Sequence, residues 1–348
     1  MVNEGSKSNN FDLLRLILAS MVMAGHFVHQ TGAPMNSFVF SYPNFAVEAF
    51  FVISGYLIYG SIIGSSALVP YFIRRACRIY PLYLVAVIVQ AIFMVMLLPA
   101  DAHKYTMDIV KYLVANLGFA NFVSPDIAGL TAALSEPEIN PSMWTLKIEV
   151  GFYVILPALA LLIRRYGIWT MFIIFVASSI YSAALHAEHF QLARQLPGQL
   201  RYFVIGITLY HFRDQIRPSV WLAILLTVIF FWLSSVESSE WMQVTRPIVV
   251  GAVVFLFGQR IPAVVVKHDI SYGVYLIHGP VIQLGILLNW IAPTYTGLAM
   301  VWIFVYALAL LSERLIERPA IAFGKRFSRA AVRFTENNRL AQWRRQIF

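Results

Sequence analysis

The sequence predicts an all-α, polytopic integral membrane protein with about ten transmembrane helices and both termini in the cytoplasm. Hydrophobic residues make up 59% of the 348 residues, and charged residues only 12%. Soluble domains contain about 45–50% apolar and about 25% charged residues. The apolar residues also recur in runs close to the length of about 20 residues that crosses a bilayer. This distribution leaves no room for a sizeable soluble domain.

The hydropathy pattern places the ten spans in order along the chain. They cover roughly 11–30, 45–64, 79–98, 143–164, 168–185, 198–212, 219–235, 246–258, 270–289 and 298–316. The segment 105–123 is only moderately apolar and contains Lys111, Asn116 and Asn121. We therefore predict that it forms a re-entrant or surface helix within an extracytoplasmic loop over 99–142. Residues 11–319 then form one transmembrane domain.

The basic residues set the predicted orientation. The loops assigned to the cytoplasm hold Arg74, Arg75, Arg78, Arg164, Arg165, Arg213, Arg217, Arg260 and Lys267, whereas the outside loops hold only Lys104, Lys111, Arg194 and Arg246. This bias follows the positive-inside rule. It also accounts for the net charge of +9 without a nucleic-acid partner. Residues 1–10 are predicted to be cytoplasmic, and the basic tail 320–348 to lie on the anionic inner leaflet of the cell (inner) membrane.

The first span carries two ionisable side chains. Arg15 and His26 are eleven residues apart, which puts them on one helical face, about 16.5 Å apart along the axis. Asp12, one turn before Arg15, is placed to hold its guanidinium. Arg15 alternatively serves as an interfacial anchor, and His26 as a polar residue satisfied by a neighbouring helix. Since ionisable residues inside a membrane mark functional sites by default, we favour a functional His26.

A second basic pair and a carboxylate add to this candidate site. Arg75 and Arg78 project together if the third helix begins before them, which would form a phosphate clamp; the alternative is a topological signal only. Glu149 enters the membrane from the opposite side and reaches about the depth of His26. A carboxylate there can orient the imidazole. The alternative is an interfacial Glu149 paired with Lys147.

Two further groups of polar residues lie in predicted spans. Ser271, Tyr275 and His278 share one helical face, and His278 lies at mid-membrane. Ser54-Gly55 follows Glu48 in the second span, where we favour packing by small residues over chemistry. The single cysteine, Cys77, excludes an intrachain disulfide and a cysteine-based metal cluster, and we predict no metal site.

Taken in order, these residues resemble the acyltransferase-3 family of membrane O-acyltransferases. The matching motifs are Arg15 followed by His26, Phe50-Phe51 with Ser54-Gly55, Arg75 with Arg78, Trp144-Thr145-Leu146 with Glu149, Phe152 and Tyr153, Tyr272 and Tyr275-Leu276 with His278 and Pro280, and Glu317-Arg318-Pro319. The sequence resembles the stand-alone form, without the C-terminal hydrolase-like domain of some relatives. It departs from many relatives at Val150, where they have a second glutamate, and at Lys147.

The resemblance implies ten core helices and transfer of an acyl group from cytoplasmic acyl-CoA to a glycan hydroxyl. It implies that His26 is the catalytic histidine and that Arg15, Arg75 and Arg78 hold the donor. We therefore expect no bound cofactor, acetyl-CoA as the simplest donor substrate, and a glycan or glycolipid acceptor. His26 would act as general base, with an ordinary imidazole pKa of about 6.5. Glu149 would orient it, and His278, Tyr275 or Ser54 would stabilise the oxyanion.

A rival hypothesis from another class is a proton-coupled transporter or flippase that uses the same intramembrane residues. A purely structural polytopic protein is less favoured, because it does not explain ionisable residues at matching depths. Release of free CoA from acetyl-CoA in the presence of a sugar acceptor would separate the enzyme from the transporter.

Overall fold

A computed structural model describes residues 9–35, 43–65, 67–98, 102–216, 242–259 and 263–331, together with 221–222, 225–226 and 228–229. These residues form helices and connecting turns, with no strand among them. The helices are α1 (Phe11–Thr31), α2 (Pro43–Ile63), α3 (Leu68–Met96), α4 (Thr106–Leu117), α5 (Met143–Tyr166), α6 (Ile168–His186), α7 (Leu196–His211), α8 (Met242–Gln259), α9 (Ser271–Leu287) and α10 (Tyr295–Ser312). A π-helical turn, Glu313–Glu317, follows α10, and the helix then continues to Ala331.

Seven of the described helices are long and apolar enough to cross a membrane: α1, α2, α3, α5, α6, α8 and the continuous helix Tyr295–Ala331. The chain is therefore a multi-pass membrane protein. The 16-residue α7 and the 17-residue α9 are shorter. Most of the predicted span 219–235 lies outside the described residues. The total of ten spans and the cytoplasmic location of the termini stay predictions.

The structure corrects one predicted boundary and confirms another element. Helix α3 begins at Leu68, well before the predicted start at residue 79, so Arg75 and Arg78 lie on the same helix. In the segment 105–123, α4 has 12 residues, which is about 18 Å and too short for a hydrocarbon core of about 30 Å. It is amphipathic and packs Tyr112 and Asn116 against α3. A short helix is therefore present in this segment, and its re-entrant or surface location stays a prediction.

The described helices begin at one or the other of two distinct ends of the bundle. Helices α1, α3 and α9 begin at what we call the first end, where Arg15 and Arg78 both contact Asp269 just before α9. Helices α2, α5, α7 and α8 begin at the opposite, second end, where Arg246 contacts Glu48. Side chains from distant parts of the sequence are therefore brought together at each end.

Helices α2 and α7 approach each other closely because glycines face each other at their crossing. A Cβ atom added at Gly55 would lie 2.2 Å from the carbonyl oxygen of Phe203, and one at Gly206 would lie 2.1 Å from that of Val52. Any larger side chain would push the two backbones apart. Gly55 thus packs as predicted, whereas Ser54 donates to Glu149.

Two prolines inside helices leave backbone carbonyls without their usual helical partner, since proline has no N–H. Another residue in place of Pro157 would donate its N–H to the Tyr153 carbonyl, and one in place of Pro280 to the Leu276 carbonyl. The Tyr71 hydroxyl donates to the Tyr153 carbonyl (3.1 Å), and Asn140 Nδ2 donates to the Leu276 carbonyl (2.9 Å). Side chains thus satisfy carbonyls close to Glu149 and His278, as expected inside a membrane.

Candidate active site

A pair of histidines lies inside the bundle, where α1 packs against α9. The Nδ1 atom of His26 is 2.9 Å from the Nε2 atom of His278, and the ring centroids are 5.1 Å apart. His278 is fully buried. Its own Nδ1 lies 2.8 Å from the carbonyl oxygen of Val274, one helical turn back. The two imidazoles therefore form a chain that ends on the protein backbone.

The hydrogen bonds of this chain fix the tautomers of both neutral rings. A carbonyl oxygen only accepts, so His278 carries its proton on Nδ1 and donates it to Val274. Its Nε2 atom must then accept, both from His26 Nδ1 and from the hydroxyl of Ser142, which is 3.1 Å away. His26 is thus protonated on Nδ1, and the lone pair on its Nε2 atom remains available. An imidazole in this state can take a proton from a substrate.

Glu149 does not make the expected contact with His26. Its Oε1 atom accepts hydrogen bonds from the Tyr153 hydroxyl at 2.5 Å and from Ser54 Oγ at 3.3 Å. The alternative partner, Lys147, instead lies over the Phe122 ring at 4.6 Å. Equal depth along the membrane normal is therefore not enough to predict a contact between His26 and Glu149, because it does not specify which faces of α1 and α5 meet.

The arginines at the first end form a cluster around a carboxylate that the sequence analysis did not single out. Asp269 Oδ2 lies 3.0 Å from Arg15 Nη1 and 2.5 Å from Arg78 Nη2. Glu317 lies 4.0 Å from Arg78, and the more exposed Asp12 lies 3.7 Å from Arg15. The predicted Asp12 contact is present, but Asp269 is the closer partner.

Asp269 is well suited to hold two guanidiniums. It immediately precedes α9, whose N-terminus favours negative charge, and its Oδ1 accepts from the hydroxyl of Ser271 at 2.6 Å. Burial alone would raise the pKa of the Asp269 carboxyl, but the charges of Arg15 and Arg78 and the bond from Ser271 hold it well below its usual range. The carboxylate is therefore ionised and links α1, α3 and α9. Ser271 supports this carboxylate through its hydroxyl group.

A cavity of about 110 Å³ extends from this cluster into the bundle, and we call it the first cavity. Its lining includes the predicted residues Arg15, Arg75, Arg78, Ser54, Glu149, Ser271 and Tyr275. Arg75 has no carboxylate partner among the described residues. It donates to Ser61 Oγ at 3.2 Å, its guanidinium lies 5.9 Å from the Tyr153 ring centre, and its Nε atom is buried without a hydrogen bond.

The deep part of the first cavity comes close to the histidine pair. Tyr275 and Thr145 line it, and their hydroxyl oxygens are 2.7 Å apart. The Tyr275 ring centroid is 6.1 Å from that of His278. Ser271, Tyr275 and His278 thus lie along one face of α9, as predicted. Their hydrogen-bond partners differ, namely Asp269, Thr145 and His26 respectively. Glu48 is elsewhere: it pairs with Arg246 at 2.8 Å and lines a different cavity.

Sequence reasoning missed three side chains that position this site: Asp269, Ser142 and Tyr153. Asp269 lies in the loop before α9, of which only the basic residues Arg260 and Lys267 enter the prediction of orientation. Ser142 lies within the quoted segment that enters α5, and Tyr153 within the family motif, yet neither was given a role. The usable signal for Tyr153 was its spacing, since it stands one turn after Glu149.

Arginines around a cavity at one end and an oriented histidine pair deep inside form a candidate active site in a multi-pass membrane protein. The chain belongs to the acyltransferase-3 family: the family model, described as an acyltransferase domain, matches residues 8–312. It is therefore an acyltransferase. It is 27% identical to "Nodulation protein 10" of Rhizobium leguminosarum bv. viciae, over 90% of this chain and 93% of the relative. It is 28% identical to an "O-acetyl transferase" of Shigella phage Sf6, over 90% and 96% respectively. No solved structure gives a significant match.

Proposed function

We propose that this protein is an O-acyltransferase of the cell (inner) membrane, which transfers an acyl group, most simply acetyl, from cytoplasmic acyl-CoA to a hydroxyl of an extracytoplasmic or cell-surface glycan. The observation that carries the proposal is the hydrogen-bond chain Val274–His278–His26, which leaves the Nε2 lone pair of His26 available as a base. The relative named "O-acetyl transferase" supports both the acetyl group and the oxygen acceptor.

The donor enters from the first end. The phosphates of CoA bind at Arg75, whose guanidinium lacks a carboxylate partner among the described residues, with Arg15 and Arg78 adding positive charge held in place by Asp269. The pantetheine arm runs along the first cavity. Glu149, held by Ser54 and Tyr153, accepts a hydrogen bond from an amide N–H of this arm. The thioester then lies near Tyr275 and Thr145.

The reaction is a direct transfer. His26 Nε2 removes the proton from the acceptor hydroxyl as its oxygen attacks the thioester carbonyl. Tyr275 donates to the developing oxyanion. The carbon–sulfur bond breaks, and the CoA sulfur takes the proton back from His26. His278 has no N–H to spare, because its Nδ1 proton is bound to Val274, so it positions His26 and does not bind the oxyanion.

The test is release of free CoA by the purified full-length protein in nanodiscs. With acetyl-CoA and a mixed panel of oligosaccharide acceptors, a thiol-reactive dye should report CoA release that depends on acceptor, and mass spectrometry should find the acetylated sugar. A matched sample of His26→Ala gives the background. In proteoliposomes, which unlike nanodiscs enclose a compartment, acceptor movement driven by a pH gradient in the absence of any CoA release would instead identify the transporter alternative.

A further inference from the structure

A second cavity, of about 130 Å³, lies at the second end of the bundle and has no part in the steps above. Its lining includes Glu48, Trp144, His186, Arg194, Arg201 and Arg246. Val47 lines both cavities, and Trp144 in this cavity immediately precedes Thr145 in the first. The two cavities therefore approach each other from opposite ends of the bundle.

Arg201 is the unusual member of this lining. Its exposed fraction is 5%, and its Nε and Nη1 atoms have no hydrogen-bond partner among the described residues. A buried charged donor without a partner costs free energy. Such a group fits a site that receives its partner from a ligand, and the partner that suits a guanidinium is a carboxylate or a phosphate.

The carboxylate of the cavity is already engaged. Glu48 Oε2 accepts a hydrogen bond from Arg246 Nε at 2.8 Å. Among the described lining residues there are three arginines and one carboxylate, which leaves two positive charges in excess. The cavity is therefore electropositive around Arg201.

Arg194 connects this cavity to the reaction centre. Its guanidinium lies 3.9 Å from the ring centre of Trp144, in a cation–π contact that fixes both side chains. Trp144 directly precedes Thr145, whose hydroxyl contacts that of Tyr275 in the first cavity. A ligand held between Arg201 and Arg194 thus lies beside the residue of α5 that adjoins the first cavity, and the indole offers a flat face to a sugar ring.

We propose that the second cavity binds an anionic group of the acceptor, a carboxylate or a phosphate on the sugar, with Arg201 as its principal ligand. This inference rests on the proposed function and names the acceptor class: an acidic glycan rather than a neutral one. Binding of the anion holds the neighbouring sugar so that a hydroxyl reaches His26.

The test is equilibrium binding of small probes to the full-length protein in nanodiscs, without acyl donor. The probes are methyl β-D-glucuronide, glucose 1-phosphate, inorganic phosphate and the neutral methyl β-D-glucoside. The wild type should prefer at least one sugar anion over the glucoside by about tenfold or more, as expected for a charge-assisted contact. The glucuronide and the sugar phosphate distinguish the two sources of charge, and inorganic phosphate shows whether the anion alone suffices.

Two substitutions assign the preference to this cavity. Arg201→Gln should reduce it to within about twofold, whereas Arg164→Gln, at an exposed arginine of α5, should leave it intact. Arg201→Met should unfold at the same temperature as the wild type or higher, because removing an unsatisfied buried charge relieves a cost. A destabilised Arg201→Met protein together with an unchanged anion preference in Arg201→Gln would assign Arg201 to packing and overturn the proposal.

The binding result is separable from the proposed function. Absence of an anion preference in the wild type overturns this inference even if acceptor-dependent CoA release is observed. An anion preference that requires Arg201, in a protein that never releases CoA, leaves the anion site standing and rejects the transferase mechanism.

Discussion

The histidine pair and the Arg15–Asp269–Arg78 cluster are both polar groups inside one membrane bundle, and they are stabilised in opposite ways. The histidines are joined as neutral rings to a backbone carbonyl, with one nitrogen left over. The arginines are joined by charge to a carboxylate that they share. A neutral pair with a free nitrogen suits the proposed proton transfer, whereas the cluster ties three helices together beside the proposed site of the donor phosphates. Removing a member of each should therefore affect different properties.

The largest effect is expected at His26. His26→Ala removes the proposed base, so kcat should fall by about 10²-fold or more, while the protein still folds because the histidine chain carries no net charge to leave unpaired. The measurement is acceptor-dependent CoA release together with thermal unfolding in the same detergent. Turnover near the wild-type level would reject His26 as the base and, with it, the proposed role of the histidine pair in proton transfer.

Asp269 should show the opposite pattern. Asp269→Asn leaves Arg15 and Arg78 without their shared charge and should lower the free energy of unfolding by about 2 kcal/mol. Asp12→Asn, at a side chain that is 57% exposed and 3.7 Å from Arg15, is the matched control and should change it by less than about 0.5 kcal/mol. Thermal unfolding with and without acyl-CoA measures both variants.

The difference in the free energy of unfolding between the wild type and Asp269→Asn should depend on pH, because the pKa of Asp269 is lowered. A carboxyl with a depressed pKa in the folded state contributes stability that is fully present above its unfolded value of about 3.9 and is lost as pH falls toward the folded value. The gap between wild type and Asp269→Asn should therefore be complete near neutral pH and shrink in acid. A gap that grows as pH falls would show that Asp269 is not ionised.

Sequence predicted elements and candidate side chains better than it predicted partners. The long apolar runs specify most helices, because a membrane span needs both length and hydrophobicity. His26 and Glu149 lie within helices, as the sequence predicts. The contact between them that equal depth predicts is wrong, because His26 contacts His278 and Glu149 contacts Tyr153. Helical rotation and packing decide contacts, and these depend on features such as the Gly55–Gly206 crossing. Asp269 shows the same limit, since its partners come from two distant helices.

His278 tests the neutral chain more finely. His278→Leu removes the acceptor for His26 Nδ1–H and should lower kcat by about tenfold through loss of the correct tautomer and orientation. His278→Gln keeps a carbonyl acceptor at the same place and should recover part of the loss. The two variants form a matched pair, because both keep a side chain of similar length. Equal activity of the two would show that His278 fills space without orienting His26.

The smallest effect is expected at Arg75. A variant of this residue tests donor binding at the first end without disturbing the ion pairs that hold the helices together. Arg75 lacks a carboxylate partner among the described residues, unlike Arg15 and Arg78, so its loss breaks no ion pair of the cluster. Arg75→Gln should raise the KM for acyl-CoA by about three- to tenfold with kcat nearly unchanged, as expected for loss of binding shared by ground and transition states.

Arg74→Gln is the control: Arg74 donates to Ser65 Oγ at 2.9 Å and does not line the first cavity. Because the two arginines are adjacent in sequence, both variants make the same change to any topological signal. A KM shift of equal size in both would assign the basic run to membrane orientation alone, whereas a shift confined to Arg75 would identify it as a ligand of the donor phosphates.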